Sequence, residues 1–187
     1  MTEPNRFEHI PKAVYTEQVL ADYKGNPMIE ALPPILSAGA AYERLKYYPP
    51  FDSAEVEEEA HVRYQAIPRL GYLIEPGMQH LDLERRLSTI IRHGYVSRNP
   101  VTSEFVETLN GTRPVTSSAS SLTLMGFSGI GKTTAVERVL SLYPQLYLHQ
   151  DAVQMVQVVH LKLNCPHDGS LKTLCLDFLT KMGDYSI

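Results

Sequence analysis

The residues whose types and spacing best support chemistry form one short stretch, Gly126-Phe-Ser-Gly-Ile-Gly-Lys-Thr-Thr134. It fits the phosphate-loop pattern G-x-x-x-x-G-K-[ST], whose fixed positions are Gly126, Gly131, Lys132 and Thr133. Glycines let the main chain close around an anion with successive N–H groups pointing inward. Lys132 would bridge the β- and γ-phosphates, and the Thr133 hydroxyl would ligate Mg²⁺. The stretch therefore predicts a site for ATP and Mg²⁺.

The elements on either side of this loop are those that must position it. Ser121–Met125 alternates with a β-like period and is apolar enough for a buried strand. A helix is predicted from Lys132 to Pro144, with one apolar stripe formed by Ala135, Val136, Val139, Leu140 and Tyr143. The predicted nucleotide contacts are Gly126, Ser128, Gly129, Ile130, Gly131, Lys132, Thr133 and Thr134. The alternative is a glycine-rich turn between strand and helix that binds nothing.

Composition narrows the class of protein. With 187 residues and 43% hydrophobic content, the chain can bury one core, or one partial domain with an appended region. The net charge of -4 gives no overall basic field for nucleic acid. One local cluster of basic residues could contact DNA: Arg85, Arg86, Arg92, His93 and Arg98. A solvated helix face is the favoured interpretation of this cluster. Neither a signal peptide nor a membrane span is recognisable, which predicts a cytoplasmic protein.

The first fifty residues predict an extended arm, because proline pairs at 33–34 and 49–50 stop helices. Apolar residues such as Met28, Ile29 and Leu32 indicate that the arm docks, either on its own nucleotide domain or on a neighbouring subunit. A helix is predicted farther along, with Asp82 as its cap and Gly94 as its left-handed exit.

Two further elements follow the phosphate-loop helix. Met155–Leu163 is rich in β-formers, and a final apolar helix is predicted between a cap at Asp168 or Ser170 and Gly183. The order is strand, helix, strand, helix, which predicts an α/β fold with a parallel sheet. The predicted organisation is an N-terminal arm and helical region over 1–117 and a nucleotide-binding domain over 118–187.

Four segments together resemble a known family. They are Tyr23-Lys-Gly-Asn-Pro-Met-Ile-Glu-Ala-Leu-Pro-Pro, Ile90-Ile-Arg-His-Gly-Tyr-Val-Ser-Arg-Asn-Pro, the loop at 126–134 and Asn164-Cys-Pro-His-Asp-Gly-Ser-Leu-Lys. They look like TnsC/TniB-type AAA+ ATPases of cut-and-paste transposition systems, and the resemblance runs from about Val14 to Leu179.

The resemblance implies an ATP-dependent regulator that assembles on target DNA and links a target-selection protein to the transposase. It implies a P-loop NTPase fold of the AAA+ type. It also implies that Tyr95 and Val96 lie where such proteins receive the adenine, although both could equally be core residues.

The sequence departs from this family after the last predicted helix. No apolar run ending in Asp-Glu supplies a Walker B carboxylate, and the sensor, arginine finger and helical lid of the family are not recognisable. The chain therefore resembles the N-terminal portion of such a protein. A partial parallel sheet leaves strand edges and apolar faces unpaired, so we expect marginal stability, self-association and doubtful hydrolysis.

Two other functions compete with transposition regulation. One is a phosphate-loop kinase or NTPase that acts on a small molecule. The other is a module that docks on partners or DNA through residues 1–110 without hydrolysing nucleotide. Lys132→Ala separates them, because only the docking module would keep its partner interaction.

Overall fold

The computed structural model describes residues 10–114, 119–151 and 153–183. Its α-helices are α1 (Pro27–Glu30), α2 (Ala38–Leu45), α3 (Ala60–Tyr64), α4 (Met78–Val96), α5 (Ser103–Leu109), α6 (Lys132–Leu140) and α7 (Leu171–Gly183). Two 3₁₀ helices, Ser53–Glu57 and Ile67–Tyr72, precede α4, and the strands are β1 (Leu146–His149) and β2 (Met155–Val158). The contacts divide the described residues into a first unit (10–33, 90–121, 143–183) and a second unit (34–89, 122–142).

The sheet of the first unit differs from the predicted parallel sheet. β1 and β2 pair antiparallel, with Leu146 opposite Val158 and His149 opposite Met155. The N-terminal arm runs parallel to β1, where the Ala13 N–H donates to the Leu148 carbonyl at 2.9 Å. β1 ends at His149 and β2 begins at Met155, a separation along the chain that is too short for the long crossover that parallel neighbours need. The prediction of a parallel sheet is therefore wrong for the described residues.

The predicted strand before the phosphate loop is also absent. Residues 121–125 are exposed and extended without ladder hydrogen bonds, and 86% of the Met125 surface is accessible. An alternating apolar pattern shows only that a segment suits a strand, because a strand also needs a neighbour to pair with. In the described part of the chain, ladder pairing joins β1 to β2 and to the arm instead.

The predicted docking of the arm is confirmed within the same chain. Asn26 caps α1 by accepting from the Met28 N–H at 3.1 Å, and Pro27 occupies the first helical turn, where its missing N–H costs nothing. Asn26 also donates to the Tyr95 carbonyl at 2.8 Å. Met28, Ile29 and Leu32 are buried as a result, so this part of the arm belongs to the core of the first unit. Residues 34–50 belong to the second unit and form α2 rather than an extended arm.

The second unit has its own apolar core. Leu45 of α2, Leu83 of α4 and Val139 of α6 are buried together. Partly buried residues pack around them: Leu81, Leu87, Ala135, Val136 and Leu142. This confirms a helix after the phosphate loop and the packing of Ala135, Val136 and Val139 along it. α6 ends at Leu140 rather than at Pro144, so Tyr143 lies beyond the helix. Packing of these three residues fixes the position of α6, and therefore the position of its first residues at the end of the phosphate loop.

The boundaries predicted for the long helix are wrong. α4 begins at Met78 and ends at Val96, so Asp82 and Gly94 lie inside it. The His80 ring accepts from the Gly77 N–H at 3.1 Å, which satisfies a donor at the start of the helix. Asp82 instead pairs with Arg85 and Arg86.

The last helix begins where the sequence predicts. Ser170 caps α7 by accepting from the Thr173 N–H at 3.3 Å, and the helix includes Gly183. Its apolar stripe is largely exposed, with 73% of Leu171 and 62% of Leu179 accessible. None of the helices in the described ranges is both long and apolar enough to cross a membrane.

Candidate functional site

The backbone of the phosphate loop has the conformations that its glycines permit. Gly129 has a φ of 80° and Gly131 a φ of 86°, both in the left-handed region. Gly131 is the N-cap of α6, and the first helical bond of α6 joins the Ala135 N–H to the Gly131 carbonyl at 2.9 Å. The N–H groups of residues 132–134 precede this hydrogen-bond ladder, so they can bind an anion.

Close packing within the loop accounts for Gly126. A Cβ at this position would lie 3.3 Å from Ile130 Cγ2 and 3.7 Å from Lys132 Cδ. The loop therefore folds tightly over the first residue of the helix that follows it.

The Lys132 ammonium is held inside the loop by main-chain oxygens. Its Nζ donates to the Gly126 carbonyl at 2.8 Å and to the Phe127 carbonyl at 2.7 Å. Both acceptors are neutral, whereas a phosphate oxygen is charged and forms stronger hydrogen bonds. A bound phosphate would compete well for the ammonium.

The predicted nucleotide contacts of the loop are accessible. Lys132 is half-buried, and the other seven are exposed: Gly126, Ser128, Gly129, Ile130, Gly131, Thr133 and Thr134. The structure brings all eight together around the start of one helix. Thr133, the predicted Mg²⁺ ligand, follows the first helical residue, where its hydroxyl can be reached from solvent.

The guanidinium of Arg138 anchors the phosphate-loop helix to α2. Its Nε donates to the Leu45 carbonyl at 2.8 Å, and its Nη2 donates to the Lys46 and Arg44 carbonyls at 3.1 and 3.4 Å. The group also lies over the Tyr47 ring, 5.9 Å from its centre. These carbonyls form the negative end of α2, where a cation is stabilising.

Comparison with known proteins supports this interpretation of the loop. Residues 115–186 match the family model for an AAA domain. The match supports an AAA-type P-loop ATPase domain. No curated protein matches the chain.

A cavity of about 200 Å³ opens beside the P-loop within the second unit. Three polar side chains from outside the motif line it, Glu75, His80 and Arg138, together with Ile130, Gly131 and Thr134 of the loop and its helix. The sequence analysis missed the three polar residues. Glu75 and His80 precede the motif by some fifty residues, and nothing in the local pattern connects them to it.

The Glu75 carboxylate is held by two tyrosines. The Tyr42 hydroxyl donates to Oε1 and the Tyr48 hydroxyl donates to Oε2. These hydrogen bonds, first that of Tyr42 and then that of Tyr48, lower the pKa of Glu75 below its usual value. Glu75 is therefore a carboxylate with a fixed orientation at neutral pH.

Tyr95 and Val96, the predicted adenine contacts, lie in the first unit and are half-buried. The Tyr95 hydroxyl donates to the Val158 carbonyl at 3.0 Å, and burial raises the pKa of this hydroxyl. These contacts favour a packing role for Tyr95, which the sequence left open beside adenine binding.

The basic cluster of α4 is only partly available to a partner. Arg85 and Arg86 share the carboxylate of Asp82 at 2.6 Å each, and Arg92 is buried. His93 and Arg98 remain exposed. The pairing favours a solvated helix face over a continuous DNA-binding patch.

Proposed function

We propose that this chain binds ATP with Mg²⁺ through its P-loop and acts as a regulator of DNA transposition. Binding of ATP is supported by the loop itself, in which the left-handed residues Gly129 and Gly131 lead into a helix whose first residue is Lys132. The match to an AAA domain over 115–186 supports this binding as well.

Each part of the loop has one task in this proposal. The N–H groups at the start of α6 and the positive end of its dipole bind the phosphates, and Lys132 neutralises the β- and γ-phosphates. The hydroxyl of Thr133 would hold Mg²⁺, whose charge would help to neutralise the phosphates. The proposed contacts are Gly126, Ser128, Gly129, Ile130, Gly131, Lys132, Thr133 and Thr134.

Transposition is proposed from the family resemblance of the four sequence segments. In such systems the ATP-bound regulator links a target-selection protein and target DNA to the transposase. We propose that residues 1–117 form the arm and helical region and that 118–187 form the nucleotide-binding domain. The start of the family match at residue 115 supports this boundary.

In this proposal Tyr95 and Val96 contact the adenine. Tyr95→Phe distinguishes this role of Tyr95 from a role in packing alone. The variant keeps the ring and removes the hydroxyl that contacts Val158. If Tyr95 only packs, Tyr95→Phe lowers the free energy of unfolding and leaves ATP affinity unchanged. If the residue binds adenine, Tyr95→Ala weakens ATP binding and leaves the affinity for tripolyphosphate unchanged.

A capture experiment tests the transposition half. The tagged chain is mixed with duplex DNA and the transposase of a TnsC-type system, with and without ATP. We expect retention of both partners that requires ATP and is lost in Lys132→Ala. No retention in any condition would contradict the proposal, provided that the chain is folded.

An exposed apolar groove favours a second candidate, docking on a partner without nucleotide control. The groove of about 470 Å³ lies in the second unit, and its lining includes Phe51, Ile67, Leu70 and Leu73. Exposed apolar surfaces of this kind commonly mark interaction sites. Retention of partners that is equal in the wild type and Lys132→Ala, with or without ATP, would favour this candidate.

A further inference from the structure

We propose that Glu75 reads the nucleoside half of the bound nucleotide, by accepting a hydrogen bond from a ribose hydroxyl, or from the amino group of the base if Tyr95 only packs. The inference rests on the proposed binding of ATP at the P-loop. It adds a specificity-determining residue that lies outside the motif.

The cavity lies beside the P-loop and is too small for a whole nucleotide. Ile130, Gly131 and Thr134 line it from the P-loop side, so a ligand in the cavity is adjacent to the phosphates on the loop. Its volume of about 200 Å³ is below the roughly 300–1,000 Å³ of sites that enclose a whole drug-sized ligand. The cavity suits one part of a nucleotide, with the triphosphate outside it along the loop.

Charge decides which part of the nucleotide enters. The triphosphate is strongly anionic and is attracted to Lys132 and the start of α6. Glu75 is itself an anion and would repel a phosphate, whereas the guanidinium of Arg138, the cation that lines the same cavity, already donates to carbonyls at the end of α2. The nucleoside is uncharged and carries hydroxyl and amino donors, which a carboxylate accepts well.

Glu75 is held in place and still has acceptor sites for a ligand. A carboxylate offers about four lone-pair sites, and Tyr42 and Tyr48 use one on each oxygen. The remaining sites can accept from a ligand, while the two tyrosines hold the group in place. His80 adds a donor, since its Nδ1 accepts from Gly77 and the ring proton is then on Nε2.

Calorimetric titration of Glu75→Gln tests the proposal with four ligands: ATP, ITP, 2′,3′-dideoxy-ATP and inorganic tripolyphosphate. We expect ATP to bind about ten-fold more weakly, as loss of a charged hydrogen bond predicts, and tripolyphosphate to change less than about two-fold. Glu43→Gln is the matched control, because Glu43 is an exposed carboxylate that pairs with Lys46 and does not line the cavity.

The two analogues identify the donor. ITP lacks the amino group of the base, and dideoxy-ATP lacks both ribose hydroxyls. One of them should bind the wild type about ten-fold more weakly than ATP, and Glu75→Gln should abolish that difference. Glu75→Asp keeps the charge but shortens the side chain by one methylene, and should show the same pattern if Glu75→Gln does not fold.

Three results would overturn the inference. They are ATP binding by Glu75→Gln equal to that of the wild type, equal loss of tripolyphosphate and ATP, and an intact preference for ATP over both analogues. In each case Lys132→Ala still loses ATP and the proposed function stands. If the folded wild type binds neither ATP nor tripolyphosphate, the proposed function and this inference fail together.

Discussion

At the scale of single residues, the P-loop depends on two glycines in the left-handed region. Gly131 has a φ of 86°, and a Cβ there would meet nothing within 4 Å. The requirement for glycine is therefore conformational, because side-chain-bearing residues pay roughly 1–2 kcal/mol for this backbone region. The motif predicts glycine at this position, and the structure gives the physical reason.

Gly131→Ala should lower the free energy of unfolding by about 1 kcal/mol and weaken ATP binding, because the start of α6 must shift to relieve the strain. Urea unfolding and ATP titration measure the two effects. Gly39→Ala is the matched control, since Gly39 lies in α2, has open space at its Cβ and has no positive φ. That change should raise stability by about 0.5–1 kcal/mol. Equal effects at the two glycines would contradict the account.

His149 supplies the pH dependence of the first unit. Its ring is fully buried, with Nδ1 2.9 Å from the Tyr15 hydroxyl and Nε2 2.8 Å from Gln157 Oε1. Gln157 donates its amide to the Met28 carbonyl at 2.9 Å, so its oxygen faces a protonated Nε2. Burial then lowers the pKa of His149.

Because the pKa of His149 is lowered on folding, this residue contributes stability to the folded state above the unfolded-state pKa of about 6.5. That contribution is lost as the pH falls toward the folded-state pKa. Urea midpoints measured between pH 7.5 and 5 should therefore fall with pH. Burial lowers the pKa of His160 as well, so each of His149→Gln and His160→Gln should remove part of the slope. A slope unchanged in both variants would exclude this origin.

At the scale of elements, one helix carries the loop and is fixed at its far end. Arg138 binds three carbonyls at the end of α2, and Val139 beside it is fully buried. The start of α6 can then hold its N–H groups toward a ligand while the segment before the loop is exposed. Positioning comes from the helix rather than from the strand that the sequence predicts.

Arg138→Met should lower the free energy of unfolding by about 1–3 kcal/mol, because it leaves the carbonyls of Leu45 and Lys46 without their charged donor. Chemical unfolding monitored by circular dichroism measures the loss. Arg98→Met is the control, since Arg98 is exposed and should change stability by less than about 0.5 kcal/mol. Similar losses in both variants would show that α2 does not depend on this contact.

The sequence predicted α6 and α7 because their apolar residues recur with the helical period. It missed β1, whose buried side chains are Tyr147 and His149 rather than its leucines. In β2 the buried side chain is Gln157. His149 and Gln157 are buried because they bind each other, Tyr15 and Met28, and such long-range pairing leaves no local pattern.

At the scale of the whole molecule, the sequence predicts the phosphate contacts of the candidate site but not the residues of the adjacent cavity. The phosphate contacts are consecutive and form a motif. The residues of the adjacent cavity come from the phosphate loop and α6, from the segment before α4 and from the start of α4, and only folding of the second unit places Glu75 beside Thr134. A motif records contacts that are close along the chain, whereas pocket residues are close only in space.

The most direct test of the central claim is a calorimetric titration of ATP with Mg²⁺ into the wild type, Lys132→Ala and Lys172→Ala. Lys172 is exposed on α7 and serves as the charge-matched control. We predict saturable binding to the wild type and to Lys172→Ala, and at least about ten-fold weaker binding to Lys132→Ala, because Lys132 supplies the charge for the phosphates. Equal binding to all three proteins, or none to the folded wild type, would contradict the account.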